Sequence, residues 1–422
     1  MTNKLIKFAS ILIILMPISL ITGPFLSDLS VVLIDLIFLY LIFKNQKTHI
    51  YLRNNLFIFL FIFNFYISIR SIFTDDIFFS LKSSLSYIRF LILIFAISYF
   101  LNLNKSLEKN FYKTFLILTI LLCLDAVFQY IFGFNILGFK IDNIDKLNGF
   151  FGDEAVLGSY LIRLFPLTLV SYFSLYDFTN NKFKFYFLLT LVCFVIFLSG
   201  SRSSLVLLIL FMILIILLFD KIRKSILLIC SLSFLLLISV LPFNEKLKYK
   251  AYINFYNPLE TMFFATDFNS SRVDKNFYIF TPIYDSHYRT AYNMFKENKI
   301  FGVGNKMFRK VCSKEGIYVN EYSCTTHPHN FYLQVLAENG IIGFLFLIIL
   351  FIIVFFKLFK EIFLRNFKNT KKYDDKSILI LAGIFLNLWP IIPSGNIFNN
   401  WLSIIIYFPI GFFMFFINKD YK

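Results

Sequence analysis

Long apolar runs alternate with short polar segments along most of the chain. Most of these runs are about 17–22 residues long, which is the length that an α-helix needs to cross a bilayer. The pattern predicts about twelve membrane spans, and the fourth could begin earlier because Ile77–Ile88 is moderately apolar. The approximate limits of the spans are 8–24, 28–43, 55–69, 85–102, 112–132, 156–176, 185–201, 203–219, 225–242, 334–356, 377–394 and 401–418.

Lysine and arginine concentrate in every second loop between the predicted spans. Because basic loops stay on the cytoplasmic side of a membrane, this alternation predicts that both termini are cytoplasmic. The opposite loops are poor in basic residues, and those that they carry are Arg70, Lys82, Lys140, Lys146 and Arg202. The consistency of the alternation supports the count of twelve spans.

One outer segment is much longer than the others. It covers residues 243–333, roughly 90 residues between predicted spans nine and ten, and it mixes aromatic with polar residues as a small folded cap would. Long loops are translocated whatever their charge, so the basic residues in this segment do not contradict the orientation. The expected organisation is spans 1–9 within residues 1–242, a large periplasmic loop with short helices at 243–333, and spans 10–12 within 334–422.

The composition agrees with a membrane protein and excludes a soluble globule. Of the 422 residues 58% are hydrophobic, and 60 are phenylalanine, so the expected fold class is an all-α membrane protein. The net charge of +16 could indicate a nucleic-acid partner. The basic residues fall in short loops between apolar runs, however, so they indicate topology, and the expected partners include membrane lipids and no nucleic acid.

The cysteines fall into two groups. Cys123, Cys193 and Cys230 lie inside predicted spans, where they are expected to pack as small hydrophobic residues. Cys312 and Cys324 lie in the long outer segment. If that side is an oxidising compartment, these two residues are expected to form a disulfide; the alternative is a pair of free thiols.

Two of the four histidines bracket a proline in Thr326-His-Pro-His-Asn330, immediately before an apolar run. Proline is favoured at the first helical position, so we expect the helix to begin at Pro328, with His329 in its first turn. Free backbone N–H groups there attract anions, which would suit a phosphate-handling or general-base histidine. The alternative is that His327 and His329 only cap the helix. Gly340 and Gly343 are expected to let another helix approach closely.

A second polar motif is the turn Leu198–Ser204, between spans seven and eight. It holds Arg202 close to the membrane on the side that lacks positive charge, where an arginine needs protein, water or an anion as a partner. A lipid-linked phosphate would suit the planar guanidinium group. The alternative, a snorkelling residue that sets topology, is weaker on this side.

Polar candidates also occur in the outer segment. Residues 284–296 have helical spacing of aromatic residues, and His287 and Arg289 project from this predicted helix. Gly302-Val-Gly304 is expected to form a turn. It is a weak signal for a phosphate loop because no strand precedes it and no third glycine follows.

Ionisable residues lie inside or beside several predicted spans. Arg89, Asp125 and Arg163 fall within spans, and Glu154 follows Asp153 at the outer mouth of span six. Residues at such depth either line a cavity or pair with one another. Both interpretations stay open, the second being a set of buried ion pairs such as Arg163 with Asp125, and Glu154 is favoured as a site residue.

Three motifs occur in order along the chain: the Ser201-Arg202 turn, Gly-x-Gly-x-x-x-Phe at Gly302–Phe308, and His329-Asn330 followed after nine residues by Gly340-x-x-Gly343. In this order they resemble the O-antigen ligase and polymerase superfamily of bacterial inner-membrane glycosyltransferases. The resemblance covers the span pattern throughout, with specific motifs at about 198–204 and 285–343. The element from His-Asn to Gly-x-x-Gly is fairly specific, whereas the Ser-Arg turn is not specific alone.

The resemblance implies a GT-C-like helical fold and a reaction that needs no metal and no cofactor. A glycan carried on undecaprenyl diphosphate would be transferred to an acceptor at the periplasmic face of the inner membrane. The acceptor would be lipid A-core in an O-antigen ligase of lipopolysaccharide biosynthesis, or a second lipid-linked glycan in an O-antigen polymerase.

The resemblance also implies roles for individual residues. Arg202 and His329 match the family motifs, and the family's loop arginine corresponds to either Arg289 or Arg272. A departing diphosphate needs positive charge, so Arg202 and Arg289 are expected to clamp it, while His329 orients or deprotonates the acceptor hydroxyl. Glu154 is a second candidate base. The further candidates for substrate binding are His327, Asn330, Arg163, Arg89, His287 and Arg309.

Two other classes of function predict different sequence features. A polysaccharide or lipid transporter, or a flippase, would be expected to show inverted repeats and spans broken by glycine or proline in matching halves, and no such symmetry is visible here. A structural scaffold would not need arginine at membrane depth.

Overall fold

The computed structural model describes residues 2–45, 53–141, 146–220, 222–227 and 281–419, together with the single residues 229, 231, 248, 249 and 252. Helices make up 76% of the structure. The one β-pairing among the described residues is an isolated antiparallel bridge between Phe134 and Lys140. The predicted all-α class is therefore confirmed.

The described residues include fourteen α-helices with defined bounds, numbered here in chain order. They are α1 Thr2–Thr22, α2 Pro24–Lys44, α3 Asn55–Ile72, α4 Ile77–Ser86, α5 Ile88–Leu103, α6 Lys105–Phe132, α7 Leu157–Leu175, α8 Lys182–Leu198, α9 Arg202–Leu218, α10 Pro282–Glu297, α11 Phe308–Val311, α12 Phe331–Phe367, α13 Asp375–Asn387 and α14 Asn400–Lys419. A short 3₁₀ turn at Gly149–Phe151 precedes α7.

Seven helical segments of the described chain are long and apolar enough to cross a membrane, which confirms the membrane class. They are α1, α2, α3, the joined α4 and α5, α6, α12 and most of α14. The predicted sixth, seventh, eighth and eleventh spans correspond to the shorter or less apolar helices α7, α8, α9 and α13. Most of the ninth predicted span, residues 225–242, lies outside the described residues. The count of twelve spans and their orientation stay predictions.

The end of one helix differs from its predicted limit in a way that matters for the site. The predicted eleventh span continues to residue 394, but α13 ends at Asn387. Pro390 and Pro393 follow. Proline has no backbone N–H for a helical hydrogen bond, and its ring clashes with the preceding turn of a helix. The chain at 388–399 therefore runs as a loop, and it crosses the entrance of α12.

Glycines set several of the close approaches between helices. Gly411 of α14 lies against α5, where an added Cβ would come within 3.0 Å of the Ile94 carbonyl oxygen. Gly383 of α13 lies against α7, where an added Cβ would be 3.0 Å from the ring of Pro166. Small residues of this kind let helix backbones approach closely in membranes, and they bring α5, α7, α13 and α14 into one packed group.

Helix α12 is interrupted at Gly340, whose φ of 62° and ψ of −166° are not helical. The carbonyls that the interruption frees are taken up elsewhere: Ala337 O accepts from Val303 N at 3.0 Å and Glu338 O accepts from Gly304 N at 2.7 Å. On the far side, Ile341 N donates to a carbonyl of the same incoming loop, residues 299–304. The loop therefore replaces the hydrogen bonds that the helix gives up.

This arrangement corrects the expectation that Gly340 admits another helix. A Cβ at Gly340 would overlap the carbonyl of Ile300, so the element that approaches is the loop. Gly302, at φ +70°, lies on the other side of this contact, and a Cβ there would overlap the backbone of Glu338 and Asn339. The Gly302–Gly304 turn thus packs directly against the backbone of α12. Gly343 does lie beside a helix, since Tyr66 of α3 would be 3.5 Å from its Cβ.

The predicted disulfide is present. Cys312 and Cys324 are bonded across 12 positions, with their Cα atoms 5.2 Å apart, and they tie α11 to the segment that leads to His327. Cys123 is a buried free cysteine and Cys193 a half-buried one, as expected for packing residues. Cys230 lies outside the described residues.

Candidate active site

Three histidines meet at the entrance of α12. The ring centre of His329 lies 4.3 Å from that of His327 and 5.2 Å from that of His287. The ring of Tyr284 lies 5.5 Å from His329. His287 and Tyr284 come from α10, whereas His327 and His329 precede α12, so two separate parts of the outer segment build the cluster.

The helix does not begin at Pro328, and His329 does not lie in its first turn. Asn330 is the N-cap residue: its side-chain oxygen accepts from Tyr332 N at 3.0 Å and from Leu333 N at 3.1 Å. Asparagine is among the strongest N-cap residues because its oxygen satisfies these free N–H groups. His329 therefore stands before the cap, with a left-handed backbone at φ 53°.

The loop after α13 holds the His329 backbone in this unusual conformation. Ser394 N donates to His329 O at 2.7 Å, and Ser394 Oγ accepts from Phe331 N at 2.9 Å. Asn330 Nδ2 donates to Pro390 O at 2.8 Å. A left-handed non-glycine residue costs about 1–3 kcal/mol and persists only where its surroundings fix it. These contacts supply that fixation, and such strain is common at functional sites.

Burial keeps all three imidazoles unprotonated at neutral pH. It lowers the pKa of His287 to about 4 and that of His327 to about 4, and the neighbouring His329 adds to both effects. It also lowers the pKa of His329 below its ordinary value. Each ring is therefore neutral near pH 7, and a neutral imidazole can accept a proton from a hydroxyl group.

His327 and His329 open onto a cavity of about 720 Å³ at one end of the helices. Five loops meet there: the α1–α2 turn, residues 146–156, the Ser-Arg turn, the outer segment and the α13–α14 loop. Among the residues that line the cavity are Gly23, Lys146, Glu154, Ser159, Arg163, Ser201, Ser203, Tyr284, Lys306, His327, His329, Ser394, Asn396, Asn399, Asn400 and Trp401.

Arg163 is the deepest cation of the cavity and is 3% exposed. Its guanidinium donates to Ser159 Oγ at 3.2 Å and to Asn387 Oδ1 at 3.3 Å. It does not form the ion pair with Asp125 that was one of the two interpretations, because Asp125 accepts from Ile136 N at 2.9 Å instead. An arginine held by neutral partners at this depth keeps its charge available for an anion.

The Ser-Arg turn forms another wall. Ser201 caps α9 by accepting from Ser204 N, and Ser201 and Ser203, on either side of Arg202, line the cavity. Burial raises the pKa of Tyr284 and the charge of Arg202 opposes that rise, so Arg202 acts on a ring that lies 5.5 Å from His329. Gly158 of α7 leaves space for the turn, since a Cβ there would overlap Ser199 Oγ.

Sequence reasoning missed two residues, Lys306 and Glu338, which are joined by a hydrogen bond from the backbone of Lys306. Lys306 lines the cavity with a left-handed backbone at φ 58°. Glu338, fully buried in α12, accepts from Lys306 N at 3.0 Å, from Phe308 N at 3.1 Å and from Gln334 Nε2 at 3.1 Å. The available signal was Glu338 itself, which is the one charged residue between Phe331 and Phe356.

Lys306 lies among other cations. Burial lowers the pKa of its ammonium, and the charges of Arg309 and Arg89 lower it further, while Glu338 opposes them. An anion in the cavity would relieve this repulsion between like charges.

The remaining predicted residues lie at the edge of the cavity or outside its lining. Arg289 is 61% exposed and forms an ion pair with Asp285 at 2.6 Å. Arg309 lies over the Phe79 ring at 5.9 Å. Arg89 pairs with Asp28 at 2.9 Å. Glu154 lines the cavity at its exposed rim, and Arg272 lies outside the described residues.

Comparison with known proteins identifies one domain. No curated protein matches the chain. Residues 186–348 match the family model described as O-antigen ligase. The match spans Arg202, Lys306, the three clustered histidines and the interrupted part of α12. Over residues 186–348 the chain is therefore similar to the O-antigen ligase family, which supports the predicted O-antigen ligase and polymerase superfamily.

Proposed function

We propose that the chain transfers a glycan from undecaprenyl diphosphate to an acceptor hydroxyl at the periplasmic face of the inner membrane, as in O-antigen ligation to lipid A-core. The observation that carries the proposal is the shared cavity: neutral His329 and His327 line it together with Lys146, Arg163 and Lys306. A base for the acceptor and positive charge for the leaving group are the two requirements of this reaction.

The bonds that change can be assigned to these residues. The acceptor oxygen attacks the anomeric carbon of the donor, the bond from that carbon to the diphosphate oxygen breaks, and the electron pair leaves with the diphosphate. The acceptor proton passes to His329, which is neutral near pH 7 because burial lowers its pKa. Glu154, at the exposed rim of the cavity, is the second candidate base.

The charge that accumulates on the diphosphate requires cations already in position. Arg163 and Lys306 lie in the cavity lining, and Arg202 adjoins it beside Tyr284. Arg289 is retained as a candidate, but it would first have to exchange Asp285 for the diphosphate. The reaction as proposed uses no cofactor and no metal, and a purified preparation treated with a chelator is expected to retain its activity.

The loops that build the cavity support the proposed orientation. Each of the five loops falls on the side that the lysine and arginine pattern assigns to the periplasm. Lipid-linked glycans reach such a cavity from the bilayer, and the exposed apolar residues near the α1–α2 turn, such as Phe25 at 73% exposure, would suit a polyprenyl chain.

The direct test is transfer by the purified full-length protein. The donor is an undecaprenyl-diphosphate glycan, and two acceptors, lipid A-core and a second lipid-linked glycan, are offered side by side. We expect His329→Ala and Arg202→Ala each to reduce the rate by at least about 100-fold, and Arg202→Lys to recover part of it because lysine keeps the charge without the planar fork. Wild-type transfer by a folded His329→Ala variant would remove the assigned role.

The choice of acceptor separates the ligase from the polymerase. A ligase uses lipid A-core, and its deletion removes all capped lipopolysaccharide. A polymerase extends the lipid-linked glycan, and its deletion leaves lipopolysaccharide capped with single repeats.

A further inference from the structure

The wall of the cavity formed by the α13–α14 loop has a different chemistry from the rest. Apart from Ser394, its polar side chains are the amides of Asn396, Asn399 and Asn400, and the ring of Trp401 lies beside them. This stretch lies beyond residues 186–348 and so outside the O-antigen ligase match. The histidines and cations described above do not account for it.

Asn396 carries an unused hydrogen-bond donor. The residue is 1% exposed, and its Oδ1 accepts from Phe398 N at 2.8 Å. Its Nδ2 is buried and has no hydrogen-bond partner among the described residues. A buried donor without a partner is destabilising, so donation from Asn396 Nδ2 to a ligand oxygen in the cavity would be favourable.

Asn400 is oriented by its own partner. Its Oδ1 accepts from Arg89 Nη2 at 2.7 Å, and Arg89 is in turn paired with Asp28 at 2.9 Å. The acceptor side of this amide is therefore occupied, and its Nδ2 is the atom left for a ligand. The charge of Arg89 is already balanced, so this wall offers hydrogen-bond donors and little net charge.

The side chain of Trp401 is half-buried and lines the same wall. An indole presents a broad apolar face that can cover the C–H groups of a flat ligand while its edge stays polar. A hydroxylated ring ligand needs these two features together, an apolar face and neutral hydrogen-bonding groups around its rim. A diphosphate needs cations instead.

We propose that Asn396, Asn400 and Trp401 form a saccharide subsite for the sugar ring next to the reacting atoms. Ser394 connects this wall to the reaction centre, because it donates to His329 O at 2.7 Å only two positions before Asn396. The ring belongs either to the transferred glycan or to the acceptor. The inference rests on the proposed function for its meaning, but saccharide binding can be measured without catalysis.

The chain provides its own fluorescent probe. It has two tryptophans, and Trp389 packs on the rings of Phe385 and Phe351 at 5.3 Å and 6.3 Å. Trp389→Phe therefore leaves Trp401 as the single indole. In this background the full-length protein in lipid nanodiscs is titrated separately with the free oligosaccharide of the repeat unit, the free core oligosaccharide and inorganic pyrophosphate.

We expect one of the two oligosaccharides to change the Trp401 emission in a saturable manner, and pyrophosphate to leave it unchanged. The responding oligosaccharide identifies whether the donor glycan or the acceptor occupies the subsite. Asn396→Asp keeps the Oδ1 acceptor and removes the donor, so it is expected to weaken binding by about tenfold. The absence of a response to either oligosaccharide, or unchanged affinity in Asn396→Asp, would overturn the proposal.

A second measurement covers the case in which Asn396→Asp fails to fold. Trp401→Ala is expected to raise the KM of the saccharide substrate with little change in kcat, and an unchanged KM contradicts the subsite. The two proposals fail separately. Saccharide binding without any transfer sinks the proposed function and leaves the subsite, whereas transfer that depends on His329 but not on Asn396 or Trp401 sinks the subsite alone.

Discussion

At the scale of single residues, the surroundings of His329, the proposed base, keep its imidazole unprotonated near pH 7. Its ring lies among two other imidazoles and Tyr284, and its left-handed backbone is held by Ser394. Burial penalises the imidazolium form, so the pKa of His329 falls below its ordinary value of 6.5. Burial, together with the neighbouring His329, lowers the pKa of His287 and of His327 to about 4.

The pH dependence of transfer follows from this shift. A base must be unprotonated, so the rate is expected to be constant at high pH and to fall to half at a pH below the ordinary histidine value of about 6.5, as His329 becomes protonated. Rate measurements as a function of pH with the wild type and with His329→Gln would check it. The variant should show a low rate without the inflection, and a wild-type inflection above about pH 7 would contradict the assignment.

The stability of the histidine cluster should also depend on pH. His287 and His327 have a pKa of about 4 in the folded state against 6.5 ordinarily, so between these values the unfolded chain binds more protons. Stability is therefore full above about pH 6.5 and falls as the pH decreases towards 4. Thermal unfolding of the protein in nanodiscs should show this decline, and His287→Gln with His327→Gln should reduce it. An unchanged decline in that double variant would assign it to other groups.

At the scale of elements, the interruption of α12 at Gly340 connects the membrane helix to the outer segment. The loop at 299–304 takes over the freed carbonyls, and Glu338 just before the break holds the backbone of Lys306 and Phe308. The break therefore positions a cavity-lining lysine. The motif His-Asn to Gly-x-x-Gly joins His329, the proposed base, to the helix interruption that organises its surroundings.

Gly340→Ala tests this role of the interruption. The new methyl group would overlap Ile300 O, and the residue would keep a positive φ that alanine disfavours. We expect a loss of roughly 3 kcal/mol or more in stability, with transfer reduced because Lys306 is displaced. Gly395→Ala is the matched control, since its added Cβ would meet nothing closer than 3.7 Å. Equal thermal unfolding of the two variants would contradict the packing role.

The disulfide offers a second test at this scale. It closes a segment of 12 positions, and removing it by Cys312→Ser with Cys324→Ser should cost about 3 kcal/mol of stability. Thermal unfolding with and without reductant would measure the loss. The unfolding temperature of the double variant should not change with reductant. If reductant also leaves the unfolding temperature of the wild type unchanged, the disulfide contributes no stability.

At the scale of the whole molecule, five loops that are distant in sequence converge on one cavity. The lysine and arginine pattern assigns each of them to the periplasmic side, and their convergence at one end of the helices agrees with that assignment. Fusions of reporter enzymes can test it. Alkaline phosphatase should be active when joined after residue 281 or 330, and a fluorescent protein should mature at the C-terminus. The reverse result would place the cavity in the cytoplasm and remove the proposed donor.

The sequence alone was sufficient for the class of the protein and for parts of the site. Apolar runs of membrane length, the Cys312–Cys324 pair and the motifs around Arg202 and His329 are local features. Such features can be read directly, because helix periodicity, composition and motif spacing depend on neighbouring residues. They led to the membrane fold, to the disulfide and to the superfamily.

Only the tertiary structure decided which residues share the cavity. The partner of Arg163 and the hydrogen bond from Lys306 N to Glu338 depend on contacts between residues far apart in the chain. The start of α12 after Asn330 depends on competition between neighbouring cap residues. The wall of Asn396, Asn400 and Trp401 exists because two prolines end α13 early and send the chain across His329. No local pattern encodes that crossing, since it is set by where helices that are remote in sequence pack together.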